Sequence, residues 1–169
     1  MSEQTLRLFL PEIILVGTAL LVVLVGLFID GERDLEDGMR ARGAATGLAL
    51  LGCLASLTSI VTLIGVSSTT QNPLSGTFVL DHFALFFKVI LLVFAIVTLL
   101  MGFRFSQHFR PYQSEFVALI LLATVGGMFM VSAREMIQLY VSLETLSIAL
   151  YVMVALSKGS RLSSEAAFK

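Results

Sequence analysis

A single acidic residue interrupts a long apolar run near the end of the chain. Between Met136 and Ser157 the only charged side chain is that of Glu144. Steps of three and four residues place further polar side chains on its helical face: Tyr140, Ser147 and Tyr151. We interpret this polar stripe as a proton-binding site, because an acid in hydrocarbon must hold a proton or a cationic partner. The alternative is a neutral, hydrogen-bonded glutamic acid that only joins helices.

Lys88 is a second charge within an apolar run, about nine residues after Val79. If this helix enters the membrane from the same side as the one carrying Glu144, the two charges could lie at similar depth. We expect the long lysine stem to extend outward toward Asp81, which lies seven residues earlier on the same face. A role for Lys88 in proton translocation is the alternative.

Metal, phosphate and disulfide chemistry have little support in the sequence. Cys53 is the only cysteine, so it can complete neither an intrachain disulfide nor an iron–sulfur site. His82 and His108 have no second histidine or cysteine at ligand spacing. No glycine-rich phosphate loop is present. We therefore assign no catalytic, cofactor-binding or metal-binding residue to this chain.

Composition places these residues in a membrane. Of 169 residues, 57% are hydrophobic and only 14% are charged, which excludes a soluble globule. Eleven basic against twelve acidic side chains leave no cationic surplus for nucleic acid. The lipid bilayer is the partner that this composition predicts.

Uncharged runs predict a single all-α membrane domain, a polytopic bundle of transmembrane helices. Turn residues from Ser67 to Gly76 divide the longest run, and Arg134 with Glu135 forms a hinge between two others. No small-residue cleavage site follows the first run, so we expect that helix to be retained. The predicted spans are residues 13–29, 43–66, 79–103, 115–133 and 135–157, and a sixth helix begins at 164–169.

Several segments resemble one known family. The stretch from Glu115 to Lys169, with its YVSLETLS and its terminal SEAAFK, resembles subunit N of the proton-pumping NADH:quinone oxidoreductases, complex I. LPEI at 10–13 and DHFALFFK at 81–88 resemble the opening helices of that antiporter-like subunit. The spacing of 25 residues between Glu144 and Lys169 also fits the family, although by spacing alone Lys169 is an ordinary helix partner of Glu165.

This resemblance implies a function and a division of labour. Subunits of this family translocate protons during quinone reduction, whereas flavin, iron–sulfur clusters and quinone belong to partner subunits. Glu144 matches the glutamate of the family's fifth helix, and Lys169 matches the lysine that opens the sixth. The family pairs that glutamate with a lysine on a later, broken helix, so the chain is expected to be the N-terminal part of a family member without a complete proton path.

Two other functions remain open at this stage. One is a subunit of a multisubunit cation/proton antiporter without a redox partner, and the other is a non-conducting fragment that only packs helices. The expected location is a bacterial inner membrane, in contact with the other membrane subunits of complex I.

Basic residues predict the orientation of the helices. Seven lie in the odd-numbered connections: Arg33, Arg40, Arg42, Arg104, Arg110, Lys158 and Arg161. Only Arg7 and Arg134 lie on the opposite side. Because cytoplasmic loops are enriched in basic residues, the N-terminus should face outward.

We therefore predict that a cysteine introduced by Ser2→Cys, in a Cys53→Ala background, reacts with an impermeant thiol reagent added to intact cells. The Cys53→Ala chain without the new cysteine is the control for background labelling. Reaction only after the cells are opened would reverse the predicted orientation.

Overall fold

The computed structural model describes residues 3–29, 35–66, 77–105 and 112–156, which contain six α-helices and no β-strand. The predicted all-α fold class is therefore confirmed. Five of the helices, α2 to α6, are long and apolar enough to cross a membrane, and the chain is an integral membrane protein. The helices are α1 (Glu3–Leu8), α2 (Leu10–Ile29), α3 (Leu35–Val66), α4 (His82–Phe105), α5 (Gln113–Val131) and α6 (Met136–Ala155).

Helix ends follow local backbone chemistry as well as hydrophobicity. Helix α2 begins before the uncharged run because Pro11 lies in its first turn, where a missing backbone N–H is harmless. Helix α4 begins at His82 because the Asp81 Oδ1 accepts a hydrogen bond from the Ala84 N–H at 2.7 Å. Helix α3 extends to Leu35, well ahead of its apolar part. The predicted turn at 67–76 and sixth helix at 164–169 lie outside the described residues.

Helix α5 is the centre of the bundle. It packs against α2, α3, α4 and α6, and half of its span is buried. Helices α2 and α4 each pack on α3 and α5, so they lie on opposite sides of that central pair. Helix α6 packs mainly on α5, and only 11% of its span is buried by the described residues.

Small residues allow the central helices to approach closely. A Cβ at Gly126 of α5 would lie 2.8 Å from the Leu146 backbone nitrogen of α6, and a Cβ at Gly52 of α3 would overlap Thr18 of α2. Both sites are at helix interfaces, as small residues in membrane helices commonly are. Gly43 and Gly47 also have GxxxG spacing, which predicts packing, but a Cβ there would meet nothing within 4 Å in the described structure. This end of α3 therefore presents the two glycines away from the described helices.

One end of the bundle is fastened by backbone pairing. The Val79 N–H donates to the Ser132 carbonyl at 2.9 Å, and the Arg134 N–H donates to the Thr77 carbonyl at 3.1 Å. These bonds flank an isolated antiparallel bridge between Phe78 and Ala133. The segment before α4 is thereby fixed to the turn between α5 and α6.

Three aromatic rings fill the space beside this bridge. The Phe9 and Phe78 ring centroids are 5.1 Å apart in an edge-to-face arrangement, and Phe129 lies 5.7 Å from Phe78. Edge-to-face geometry aligns the positive ring edge with the negative ring face. The rings therefore join the start of α2, the start of α4 and the end of α5 at one place.

The glycine contacts predict opposite effects for two matched substitutions. Gly126→Ala should lower the free energy of unfolding by about 1–3 kcal/mol, because the new methyl group meets α6 backbone. Gly47→Ala should be neutral or stabilise by up to about 1 kcal/mol, because alanine is the better helix former. Thermal unfolding of the purified full-length protein in detergent measures both, and equal effects of the two substitutions would contradict the described α5–α6 interface.

Candidate functional site

A buried ion pair joins α2 to α4. The Lys88 Nζ lies 2.6 Å from the Glu12 Oε1, and each side chain is only 1% exposed. Since α2 and α4 are each packed on α3 and α5, the two side chains meet across the central helix pair. The ion pair is thus enclosed within the four-helix part of the bundle.

Lys88 occupies the buried face of α4. Spacings of three and four residues connect it to buried apolar neighbours on that face: Leu85, Leu92, Ala95 and Leu99. The expected extension of Lys88 toward Asp81 is wrong, because the Asp81 Oδ1 instead accepts the Ala84 N–H at the start of α4. Because the Glu12 carboxylate on α2 is a partner inside the bundle, the Lys88 side chain does not extend toward the membrane surface.

Glu12 occupies the corresponding face of α2. It lies in the first turn, where the helix dipole favours a negative charge, and it heads a buried stripe through Leu15, Ala19 and Val22. The neighbouring Pro11 carbonyl accepts a hydrogen bond from the Ser56 hydroxyl of α3 at 3.1 Å, which fixes the start of α2. Both carboxylate oxygens of Glu12 are buried without a hydrogen-bond partner among the described residues, and Oε1 meets Lys88 only as an ion pair.

Glu144 lies in a different environment. It is the ninth residue of α6, about 12 Å from the start of the helix. Its carboxylate is half-buried and lies beside the Tyr140 hydroxyl, one turn earlier on the same face. Ser142 and Ala149, which are the buried residues of α6, lie on the nearly opposite face. Glu144 is therefore turned away from α5.

The rest of the predicted polar stripe lies on the same open side. Tyr140 is 62% exposed and Tyr151 is 61% exposed, and Ser147 is half-buried. No described side chain forms an ion pair with Glu144. Lys169, the expected partner, lies outside the described residues. The structure thus brings Glu12 and Lys88 together, whereas it supplies no cation for Glu144 within the described part of the chain.

Sequence reasoning did not identify Glu12 as a site residue. The sequence feature that could have indicated Glu12 is its position on one helical face with Leu15, Ala19 and Val22, at spacings of three and four residues. This face cannot be distinguished in the sequence because α2 and α4 are apolar on their exposed sides as well. The exposed residues include Leu20, Leu24 and Phe94, which are as hydrophobic as the buried ones. Hydrophobicity therefore does not predict which face of each helix is turned into the bundle.

Curated relatives match the chain along almost its whole length. A protein from Magnetococcus marinus named NADH-quinone oxidoreductase subunit N is 31% identical over all 169 residues. One of the same name from Rhodobacter capsulatus is 36% identical over the whole chain. NAD(P)H-quinone oxidoreductase subunit 2 from Thermosynechococcus vestitus is 35% identical over 95% of the chain.

The chain is much shorter than these relatives. It covers 33% of the Magnetococcus and Rhodobacter proteins and 29% of the Thermosynechococcus protein, so it spans about a third of their length. No protein-family model matches the sequence. The similarity is consistent with the resemblance found in the sequence segments.

The Glu12–Lys88 geometry predicts a non-additive effect on stability. Lys88→Met should lower the free energy of unfolding by about 3–5 kcal/mol, because it leaves the Glu12 carboxylate buried without its cation. Adding Glu12→Gln should recover most of that loss, since two neutral side chains need no ionic partner. Thermal unfolding of wild type, both single variants and the double variant in detergent gives the coupling energy, and simple additivity would exclude the ion pair.

Proposed function

We propose that this chain is part of a membrane-arm subunit of a proton-translocating NADH:quinone oxidoreductase, and that it contributes to proton translocation during quinone reduction. The observation that carries the proposal is similarity over the whole chain to proteins named NADH-quinone oxidoreductase subunit N. Five helices able to cross a membrane agree with a place in a membrane arm. Flavin, iron–sulfur clusters and the quinone site are assigned to partner subunits.

Glu144 is the group that we assign to the proton step. Its depth in α6 makes a permanent bare charge costly, so its protonation state should respond to a nearby cation. The Tyr140 hydroxyl stabilises the charged carboxylate without neutralising it. Lys169 is proposed as a cationic partner, and Ser147 and Tyr151 as polar residues along the same face.

Proton translocation then follows from a change in charge pairing. When a cation approaches Glu144 the carboxylate is favoured, and when the cation withdraws the protonated acid is favoured. A conformational or charge change in a neighbouring subunit that moves the cation would therefore make Glu144 bind or release a proton. The coupling energy is supplied by quinone reduction elsewhere in the complex, and this chain carries no electron.

The proposed location is a bacterial inner membrane with the N-terminus outside. The basic residues of the odd-numbered connections support this orientation. Under this arrangement the Glu12–Lys88 ion pair lies toward the outer surface, since α2 and α4 both begin on that side.

A cation/proton antiporter subunit is the alternative that a direct experiment separates from this proposal. Purification of the full-length protein with its natural partners should recover flavin-containing and iron–sulfur subunits together with quinone reductase activity. Recovery of a stable membrane complex without redox subunits would favour the antiporter and remove the link to quinone.

Substitution of Glu144 tests the proposed proton step. In the assembled complex, Glu144→Gln should permit assembly but lower quinone reduction and proton pumping together by about a hundredfold, the lower range for losing a positioned proton-transfer group. Glutamine keeps the shape and hydrogen-bonding capacity of the side chain but cannot ionise. Glu144→Ala should lower both activities to the same extent if the role of the side chain is to ionise.

The matched control is Glu135→Gln. Glu135 lies at the start of the same helix, is exposed and makes no side-chain capping hydrogen bond. This variant should retain both activities when they are normalised to assembled complex on native gels. Near-normal pumping by Glu144→Gln would exclude Glu144 from the mechanism, and loss only in Glu144→Ala would assign it a packing role.

A further inference from the structure

We propose that Glu12 and Lys88 form a second proton-exchange site, separate from Glu144, at the end of the bundle where α2 and α4 begin. This inference rests on the proposed function, because it places the exchange within a proton-translocating subunit. The observation behind it is the ion pair itself, with Nζ and Oε1 2.6 Å apart and both side chains 1% exposed. The two atoms are in direct contact, so a proton can pass between them once an N–H bond of the ammonium is aligned with Oε1.

Stability alone does not explain an ion pair in this position. Desolvation of two charges offsets much of their attraction, so apolar side chains of similar volume commonly serve a buried site as well or better. The neighbours of Lys88 along α4 show that apolar residues fill this face elsewhere: Leu85, Leu92, Ala95 and Leu99. Ionisable groups inside a membrane bundle are instead typical of proton relays.

The exchange step conserves charge within the pair. An N–H bond of the Lys88 ammonium breaks, its electron pair stays on Nζ, and the proton forms an O–H bond with the Glu12 Oε1. The ion pair thereby becomes a neutral amine and a neutral carboxylic acid. A surrounding of low polarity disfavours separated charges, so the two forms can be close enough in free energy to interconvert.

The free carboxylate oxygen gives this pair a route to another proton carrier. Glu12 Oε2 is buried without a hydrogen-bond partner among the described residues, although a buried polar atom is normally satisfied. After Oε1 has taken the Lys88 proton, rotation of the carboxyl group turns its O–H bond toward a water molecule, which accepts the proton and leaves a carboxylate beside the neutral Lys88 amine. The amine then takes a proton from a second carrier, which restores the ion pair. Oε1 and Oε2 then serve as the two sides of one relay.

Few other charges surround the pair. The described side chains of α3 include no charged residue, and its one cysteine, Cys53, is a buried thiol. The acid of α5, Glu115, lies in the first turn of that helix, at the opposite end of the bundle. At the end of the bundle that holds the pair, Asp81 accepts the Ala84 N–H, and the other charged or titratable side chains are exposed: Arg7, His82, Arg134 and Glu135. Proton exchange is therefore governed mainly by Glu12 and Lys88 themselves.

The substitution Lys88→Arg distinguishes a role in proton exchange from a role in charge pairing alone. Lys88→Arg keeps a cation that can pair with Glu12, but a guanidinium does not release its proton in proteins. In the assembled complex we expect this variant to lose proton pumping and coupled quinone reduction by about a hundredfold, as expected for loss of a proton-transfer group. Near-normal pumping by Lys88→Arg would show that only the charge is needed and would overturn the proposal.

A neutral double variant and a spectroscopic measurement test the proposal if the Lys88→Arg variant does not fold or assemble. Glu12→Gln combined with Lys88→Met removes exchange without leaving a buried charge, so it should assemble yet pump poorly. Infrared difference spectra of the wild-type complex during turnover should contain a protonated-carboxyl band that disappears when Glu12 is replaced by glutamine. Absence of any such band, or a band unchanged by that replacement, would also overturn the proposal.

These outcomes are distinguishable from failure of the proposed function. Loss of pumping in Glu144→Gln together with normal pumping in both ion-pair variants would leave the proposed function intact and exclude only the second site. Proton flux without any dependence on quinone reduction would instead contradict the proposed function. Glu135→Gln is again the control for an acid at a helix start that takes no part in exchange.

Discussion

Hydrocarbon provides no hydrogen bonds, and this constraint governs both the backbone and the polar side chains of the protein. Helices satisfy their own backbone groups, which is why each membrane span is helical. Hydroxyl groups within the spans follow the same rule by donating to carbonyls one turn earlier: Thr18 to Ile14, Thr98 to Phe94, Thr124 to Ile120 and Thr145 to Val141. Charged groups cannot be satisfied so locally, and they therefore reveal more about function.

Glu12 and Glu144 meet this constraint in different ways. Glu12 receives a cation from another helix and is enclosed by the bundle. Glu144 has no cationic partner among the described residues, lies beside the Tyr140 phenol of its own helix and faces away from α5. A fixed ion pair holds its charges at one separation, whereas an acid without a fixed cation can respond to a partner that moves. The difference supports distinct roles for the two acids.

Helix packing sets where these charges can meet. Apolar side chains gain little by leaving lipid for protein, so close contact between small residues contributes much of the attraction between membrane helices. Gly126 brings α5 against α6, and Gly52 brings α3 against α2. Because α3 and α5 occupy the centre, α2 and α4 are joined across them by the side chains of Glu12 and Lys88. Glutamate and lysine have the required length.

The sequence by itself determined the helical fold class and the five membrane spans, because runs of uncharged residues long enough to cross hydrocarbon have few other stable structures. It also made Glu144 a candidate site residue, since one acid within an apolar run is visible without knowledge of its neighbours. Only the tertiary structure paired Lys88 with Glu12 and showed that Asp81 is engaged at the start of α4. The physical reason is that lipid and protein interior are both apolar, so hydrophobicity locates a membrane helix but does not tell which of its faces is turned toward another helix.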